Sequence, residues 1–177
     1  MNVEPETGRG VHRVGSKEAV ASVPAVRRQQ PVPEQIRALS TMTDPSYVDV
    51  FTMTGGVPGR SPEQWARIMF EDVAGRAGQF IWRALLGLRL TASPHRVAGW
   101  QVADRGDDWI RLEARSWFMT GHLVVRADDE HVSLATFVRY DRPVASHIWL
   151  PLAKKHRQLA PDLLRDAHRP QQPSPRR

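Results

Sequence analysis

The chain holds 177 residues, no cysteine and a net charge of +6, and these numbers already exclude several classes of protein. Without cysteine there can be no disulfides, thiolate metal sites or cysteine nucleophiles. The charge does not predict a nucleic-acid-binding face, because residues 44–168 hold 16 basic and 15 acidic side chains and most of the excess lies in the tails.

The sequence contains no pattern that predicts a membrane-spanning helix, a cofactor site or a common catalytic motif. No apolar run approaches the ~20 residues of a membrane-spanning helix, and the first residues lack the apolar core of a secretory signal. The histidines show no ligand spacing, and no Gly-x-Ser-x-Gly motif predicts a serine triad. We therefore expect a cytoplasmic protein without metal or cofactor, which binds neither membranes nor nucleic acid.

The two ends of the chain are predicted to be disordered around one folded domain. Residues 1–43 show scattered charge and no sustained apolar periodicity, and residues 169–177 form a Pro/Gln/Arg tail. We place the domain at residues 44–168, so a chain from Met42 to about Arg169 should keep the full melting temperature. The sequence leaves open whether translation begins at Met1 or Met42.

The domain opens with a strand and two short helices. Tyr47–Thr54 alternates as a strand does, and the glycine-rich residues 54–60 connect it to a helix, since their spacing does not fit a phosphate-binding loop. Ser61 and Gln64 form a capping box ahead of an apolar stripe (Trp65, Ile68, Met69 and Val73). A second helix over residues 79–88 is predicted to face inward with Phe80, Ile81, Ala84, Leu85 and Leu88, and to hold Trp82 and Arg83 at its rim.

Residues 97–140 are predicted to form four antiparallel strands, over 97–103, 109–118, 121–127 and 131–140. Two-residue turns centred on Met119-Thr120 and Asp129-Glu130 pair Phe118 with Gly121 and Ala127 with Val132. Both turns place the same side chains on one face, because side chains alternate with period 2. The face predicted to be buried carries Ile110, Leu112, Ala114, Phe118, Leu123, Val125, Val132, Leu134, Thr136, Val138 and Tyr140.

The opposite face of this sheet is predicted to be solvated. It carries charged pairs such as Glu113 with Arg126, and exposed pairs of this kind contribute little to stability. Four apolar residues do not fit this prediction, and a homodimer partner could cover them: Trp117, Val124, Ala135 and Phe137. The remaining residues of the outer face are Arg111, Arg115, His122, His131, Ser133 and Arg139.

A long helix is predicted after Tyr140, ending near His168. Its apolar stripe consists of Val144, Ile148, Leu152, His156, Leu159 and Leu163. Pro151 and Pro161 each remove a backbone hydrogen bond, so we expect the helix to be bent or broken.

This order of elements predicts an α+β protein with the helix-grip fold, in which an antiparallel sheet curls around a long C-terminal helix. The residues that carry a closer resemblance are 47–51 (YVDVF), 121–126 (GHLVVR), 136–143 (TFVRYDRP) and 155–157 (KHR). On these, residues 44–168 resemble a bacterial family of uncharacterised proteins in the polyketide-cyclase-like, START-like superfamily. The resemblance implies binding of apolar ligands and, in some members, cyclisation or dehydration.

Five residues are candidates for a ligand site between the sheet and the last helix. His156 interrupts the apolar stripe and could transfer a proton there, or it could simply be a boundary histidine bonded to a sheet carbonyl. Thr136 and Tyr140 could orient a ligand oxygen, although a tyrosine near a strand end often reaches solvent. Trp100 and Trp149 could line a pocket together with Trp65, or fill the core.

Three hypotheses about function follow from these residues. The first is a domain that binds a small, largely apolar ligand between the sheet and the C-terminal helix. The second is an isomerase, cyclase or dehydratase with His156 as acid/base and Tyr140 as the oxygen-orienting donor. The third is a non-catalytic interaction protein that uses the apolar residues of its outer face.

Overall fold

One antiparallel sheet of seven strands organises the computed structural model, which describes residues 24–169. Along the sheet the strand order is β1-β2-β7-β6-β5-β4-β3, so β3 to β7 form a continuous meander. The protein is therefore α+β, as predicted. The strands are β1 (Val26–Arg28), β2 (Tyr47–Thr54), β3 (Arg96–Val97), β4 (Trp100–Arg105), β5 (Trp109–Arg115), β6 (Met119–Ala127) and β7 (His131–Tyr140).

The helices of the described part lie between β2 and β3 and after β7, apart from one short turn near the N-terminus. Two π-helical segments, Ile68–Val73 and Ile81–Leu85, continue α2 and α3 respectively. No helix in the part of the chain that the structure describes is long and apolar enough to cross a membrane. The helices are α1 (Glu34–Arg37), α2 (Pro62–Arg67), α3 (Gly75–Phe80) and α4 (Val144–His168).

The predicted hairpin register is confirmed between β6 and β7 and wrong between β5 and β6. Ala127 pairs with Val132 as expected, whereas Gly121 pairs with Ala114 and not with Phe118. The reason is a wider turn at 116–119, in which the Ser116 hydroxyl accepts hydrogen bonds from the backbone of Phe118 and Met119. The slip is four residues, an even number, so the side chains of β5 and β6 keep their predicted faces.

The first predicted strand of the meander is divided in two. Ala98 and Gly99 form a tight turn with φ values of 51° and 88°, and β3 folds back on β4. A Cβ atom at Gly99 would lie 2.9 Å from the Cβ of Leu90. Both the backbone angle and this close approach therefore require glycine at position 99.

The inner face of the sheet is buried as predicted, but the helices meet it differently. In α2 the Ser61–Gln64 capping box is confirmed. In the second helix Phe80 is 62% exposed, Leu85 is 41% exposed, and Trp82 packs inward against Phe70 and Trp100. The predicted inward set is confirmed for Ile81 and Leu88 and wrong for Phe80, Ala84 and Leu85, because π-helical turns insert an extra residue and shift the phase of the stripe.

The C-terminal helix α4 ends at His168, as predicted. It runs unbroken through Pro151 and Pro161, although the sequence predicted a bent or broken helix. Its apolar stripe is offset from the predicted one, since Val144 and Leu159 are exposed. Small side chains dominate the buried side and let the helix approach the sheet closely. The buried residues are Ala145, Trp149, Ala153, Ala160, Leu164 and Ala167.

The far end of α4 is held by the glycine-rich connection. Arg60 lies over the Trp65 ring, 4.6 Å from its centroid, and donates a hydrogen bond of 2.8 Å to the carbonyl of Ala167. A guanidinium group at a helix C-terminus is favourable because the last carbonyls carry partial negative charge. Arg60 thus caps the C-terminus of α4, and residues 54–60 connect β2 to α2, as predicted.

The prediction that residues 1–43 are disordered is wrong for residues 24–43, while residues 1–23 lie outside the described part. We call residues 24–42 the N-terminal strap. In it, β1 pairs with β2, and Ile36 and Met42 pack on the outer face of the sheet. The prediction failed because this segment holds only isolated apolar residues, whose partners are distant in sequence. The predicted tail also falls largely outside the described residues, which end at Arg169.

The strap also corrects the prediction of a solvated outer face. Val124, Ala135 and Phe137 are each 1% exposed beneath it, and their burial needs no second copy of the chain. Arg111 and His122 are buried as well. Trp117, the fourth residue that did not fit, lies in a turn and is 61% exposed.

Candidate functional site

A cavity of about 310 Å³ lies between the inner face of the sheet, α4 and the helices that precede β3. Most of its wall is apolar or aromatic. Side chains from three layers meet there, and they include Phe70, Trp82, Leu123, Leu134, Val138 and Leu152. A largely apolar, concave space with a few polar groups is typical of small-molecule sites.

Four of the five predicted site residues line this cavity, and one does not. Thr136 and Trp100 approach from the sheet, whereas Trp149 and His156 approach from α4. Tyr140 lies outside the lining, at the end of β7, where its backbone N–H donates to the Ser46 hydroxyl. Partial burial raises the pKa of the Tyr140 phenol.

Aromatic rings shape the cavity wall. Trp82 and Trp100 meet edge to face, with ring centroids 5.8 Å apart and an interplanar angle of 89°. Trp100 lies close over the backbone of β6, where a Cβ atom at Gly121 would come within 3.4 Å of the indole. Glycine at position 121 therefore gives the indole its place against the sheet.

His156 lies in an aromatic environment. The centroids of the Tyr47, Phe51 and Trp149 rings are 6.3, 6.3 and 5.8 Å from the imidazole centroid. Its Nε2 atom is buried and has no hydrogen-bond partner among the described residues, so a sheet carbonyl does not satisfy this atom. Burial, assisted by Arg157 and Arg28, lowers the pKa of His156 to about 4. The ring is therefore neutral at pH 7.

The buried imidazole makes folding stability depend on pH. The pKa of His156 falls from 6.5 to about 4 on folding, so the unfolded chain binds this proton first. The contribution of His156 is complete above pH 6.5 and is lost as the pH falls towards 4. We expect a loss of about 2 kcal/mol in unfolding free energy between pH 7 and pH 5, measured by urea denaturation.

The matched comparison is His156→Phe against His147→Phe, since His147 is an exposed histidine on the same helix. The first substitution should flatten the pH dependence between 5 and 7 by about 2 kcal/mol. The second should leave it intact. His122, whose pKa is also lowered by burial, accounts for part of the remaining slope. Equal slopes in both variants would contradict the buried, neutral state of His156.

A buried carboxylate lies on the same face of the sheet and was missed from the sequence. Asp49 is 2% exposed and pairs with Arg28 of the strap, with 2.5 Å between Nε and Oδ1. The Tyr47 hydroxyl donates to the other carboxylate oxygen, and Arg157 lies 3.5 Å from that hydroxyl. Desolvation raises the pKa of Asp49, while Arg28 and Arg157 oppose the shift. A signal was available, because Asp49 interrupts the apolar alternation of Tyr47, Phe51 and Met53.

A second polar cluster lies on the outer face, beneath the strap. Ser40 Oγ is 3.0 Å from His122 Nδ1, and His122 Nε2 is 3.5 Å from Glu113 Oε1. Arg111 joins this cluster by donating to Glu113 and to the carbonyl of Leu39. Serine, histidine and glutamate are the residues of a nucleophilic triad, but His122 is only 5% exposed. Two of the contacts, Ser40 with His122 and Arg111 with Leu39, tie the strap to the sheet. We therefore interpret this cluster as a structural contact that holds the strap on the sheet, and not as a catalytic triad.

The described residues contain no group of three or more His, Asp or Glu side chains that could hold a metal ion. Comparisons with known proteins add no identity: no family model, no curated protein and no solved structure matches the chain.

Proposed function

We propose that the protein binds a small, largely apolar ligand in the cavity between the sheet and α4. The observation that carries this proposal is the cavity itself, since packed interiors contain few voids larger than a water molecule. At a liquid share of ~30 Å³ per water, the volume corresponds to about ten waters. That space suits a molecule of about ten to fifteen non-hydrogen atoms.

The helix-grip fold is part of the same proposal. Its support is the arrangement of α4, which packs along the inner face of an antiparallel sheet and encloses the cavity with Trp149 and His156. In this arrangement the sheet and the helix form opposite walls of the site.

The geometry supports binding better than catalysis. An acid/base role for His156 requires a ring that exchanges its proton near neutral pH, whereas its pKa is about 4. The proposed oxygen-orienting partner, Tyr140, does not belong to the cavity lining. The pair of residues required by the enzyme hypothesis is thus not assembled around one space.

Filling the cavity should abolish binding without unfolding the protein. Val73 is half-buried on the cavity wall, so Val73→Trp should place an indole in the space. Leu85→Trp is the matched control, because Leu85 belongs to the same helical layer but is 41% exposed and outside the lining. We expect a loss of affinity of at least about 30-fold for Val73→Trp, equivalent to roughly 2 kcal/mol, and no change for Leu85→Trp.

The measurement has two stages. Purified protein is first extracted with organic solvent and analysed by mass spectrometry for bound small molecules. Equilibrium dialysis then gives the affinity of each variant for a neutral bicyclic aromatic probe, and thermal unfolding verifies that both variants are folded. A wild-type protein that takes up neither co-purified nor added apolar molecules would refute the proposal.

A further inference from the structure

The polar atoms around the cavity specify what kind of ligand it takes. Four of them are buried and have no hydrogen-bond partner in the described structure: Trp100 Nε1, Trp149 Nε1, Thr136 Oγ1 and His156 Nε2. Most buried polar groups in proteins are hydrogen-bonded, and an unsatisfied one costs roughly 1–3 kcal/mol. Four such atoms surround one apolar space, and a bound ligand would supply their missing hydrogen-bond partner.

Donors dominate this set. An indole N–H can only donate, and a threonine hydroxyl can donate as well as accept. The rings that Trp100 and Trp149 meet edge to face, Trp82 and Tyr47, offer π faces. A π face accepts an N–H only weakly. The complementary group on a ligand is therefore an oxygen that accepts hydrogen bonds.

Charge around the cavity argues against an anionic ligand. Its charged lining residues are Lys155, Asp162 and Asp166, all on α4, and the first two are exposed to solvent. Asp162 and Asp166 already pair with Arg165 and Arg169, at 2.9 and 3.0 Å. The lining contains no buried lysine or arginine that could pair with an anionic ligand. A carboxylate that moved deeper would meet apolar and aromatic walls, where an ion without a partner is strongly disfavoured.

Building on the proposed function, we infer that the cavity selects an uncharged, largely apolar molecule that carries a carbonyl oxygen, such as an aromatic ketone, quinone or ester. Hydrocarbons leave the donors unsatisfied, and fatty-acid-like carboxylates find no buried cation in the lining. The donor atoms are buried and do not face the open space of the cavity. Binding must therefore turn at least one indole or the Thr136 side chain towards the ligand, which alters the environment of that N–H or hydroxyl.

Three probes of nearly equal size test this inference on the full-length protein. They are 2-acetylnaphthalene, 2-ethylnaphthalene and 2-naphthoate, each measured by equilibrium dialysis at pH 7.5. We expect the ketone to bind about tenfold more tightly than the ethyl compound, as one satisfied buried donor would give, and the carboxylate to bind most weakly. Indole ¹⁵N–¹H spectra should show a shift of the Trp100 or Trp149 side-chain signal with the ketone only.

Substitutions that delete single donors complete the test. Trp100→Phe, Trp149→Phe and Thr136→Val retain most of the apolar wall, and at least one of them should reduce the preference for the ketone towards unity. Trp117→Phe is the control, because Trp117 is 61% exposed and lies outside the lining, and it should preserve the preference. Equal affinity for the ketone and the ethyl compound, or tightest binding of the carboxylate, would overturn the inference while leaving apolar binding intact. Failure of all three probes to bind would refute the proposed function and this inference together.

Discussion

A chain that begins at Met42 should be less stable than one that begins at Pro24 by at least about 5 kcal/mol. Its outer face would expose Val124, Ala135 and Phe137, which are each 1% exposed in the complete structure. Fully burying a valine or phenylalanine side chain stabilises a protein by roughly 1.5–3 kcal/mol, and an alanine methyl group adds less. The loss would be comparable to the total stability of a typical domain.

Polar groups add to this cost. Without the strap, Asp49 loses the Arg28 guanidinium, His122 loses the Ser40 hydroxyl, and Arg111 loses the carbonyl of Leu39. The edge of β2 also loses the backbone pairing of β1. Each loss leaves a polar group without the partner that it has in the complete protein. Every one of these changes therefore lowers the free energy of unfolding.

Urea denaturation of both truncated chains provides the measurement, with solubility and binding of a hydrophobic dye as supporting observations. The chain from Pro24 is the control because it retains every described residue. Similar midpoints for the two chains would mean that the strap contributes nothing, and would restore the domain boundary at residue 44 that the sequence predicted.

The contrast between these boundaries shows which parts of the fold are encoded locally. Period-2 alternation predicted the inner face of the sheet from Ile110 to Val138, and the even slip between β5 and β6 left it intact. Alternation says nothing about what covers the other face. Val124, Ala135 and Phe137 were recognisable as unexplained apolar residues, but their partners Ile36 and Met42 are about 80 to 100 residues away in sequence, where no periodicity marks them.

Helix patterns failed where their period changed or where side chains were small. π-helical turns at Ile81–Leu85 brought Trp82 inward, against the 3.6-residue pattern. On α4, large apolar residues such as Leu159 suggested the buried stripe, but alanines at 145, 153 and 160 occupy it because they allow close packing. A prediction based on the size of the apolar side chains therefore placed the buried stripe about one residue away from its position in the structure.

Part of the candidate site could be predicted from the sequence. Thr136 and Trp100 were assigned to the inner face of the sheet, and His156 was recognised because it interrupts the apolar stripe of the helix. Trp149 was a candidate only as a large aromatic residue, and all four line the cavity. Asp49 breaks the pattern of β2 as His156 breaks that of the helix, yet its importance depends on Arg28. That arginine belongs to the segment predicted to be disordered, so the pair could not be recognised.

Replacing Arg28 should reveal how strongly the strap and the inner face depend on each other. We expect Arg28→Met to lower the unfolding free energy by about 3 kcal/mol at pH 7. Methionine keeps much of the apolar stem, but it leaves the buried Asp49 carboxylate without its cation. The expected cost lies at the low end for a broken buried pair because the Arg28 side chain is 35% exposed and water can partly replace it.

Two comparisons separate the charge from other effects of the substitution. Arg27→Met changes an exposed neighbour on the same strand and should alter stability by less than about 0.5 kcal/mol. The double variant Arg28→Met/Asp49→Asn should recover most of the loss, because the amide removes the charge and can still accept a hydrogen bond from the Tyr47 hydroxyl.

The same variant makes a pH prediction with a definite sign. Desolvation already raises the pKa of Asp49 in the folded protein, and without Arg28 it should rise further. The folded state of Arg28→Met then binds a proton more readily than the unfolded state, so its deficit relative to wild type should shrink as the pH falls from 7 towards 4. Urea denaturation across this range measures the deficit. A deficit that stays constant with pH, or a double variant as unstable as the single one, would show that Arg28 stabilises the strap by packing and not by neutralising Asp49.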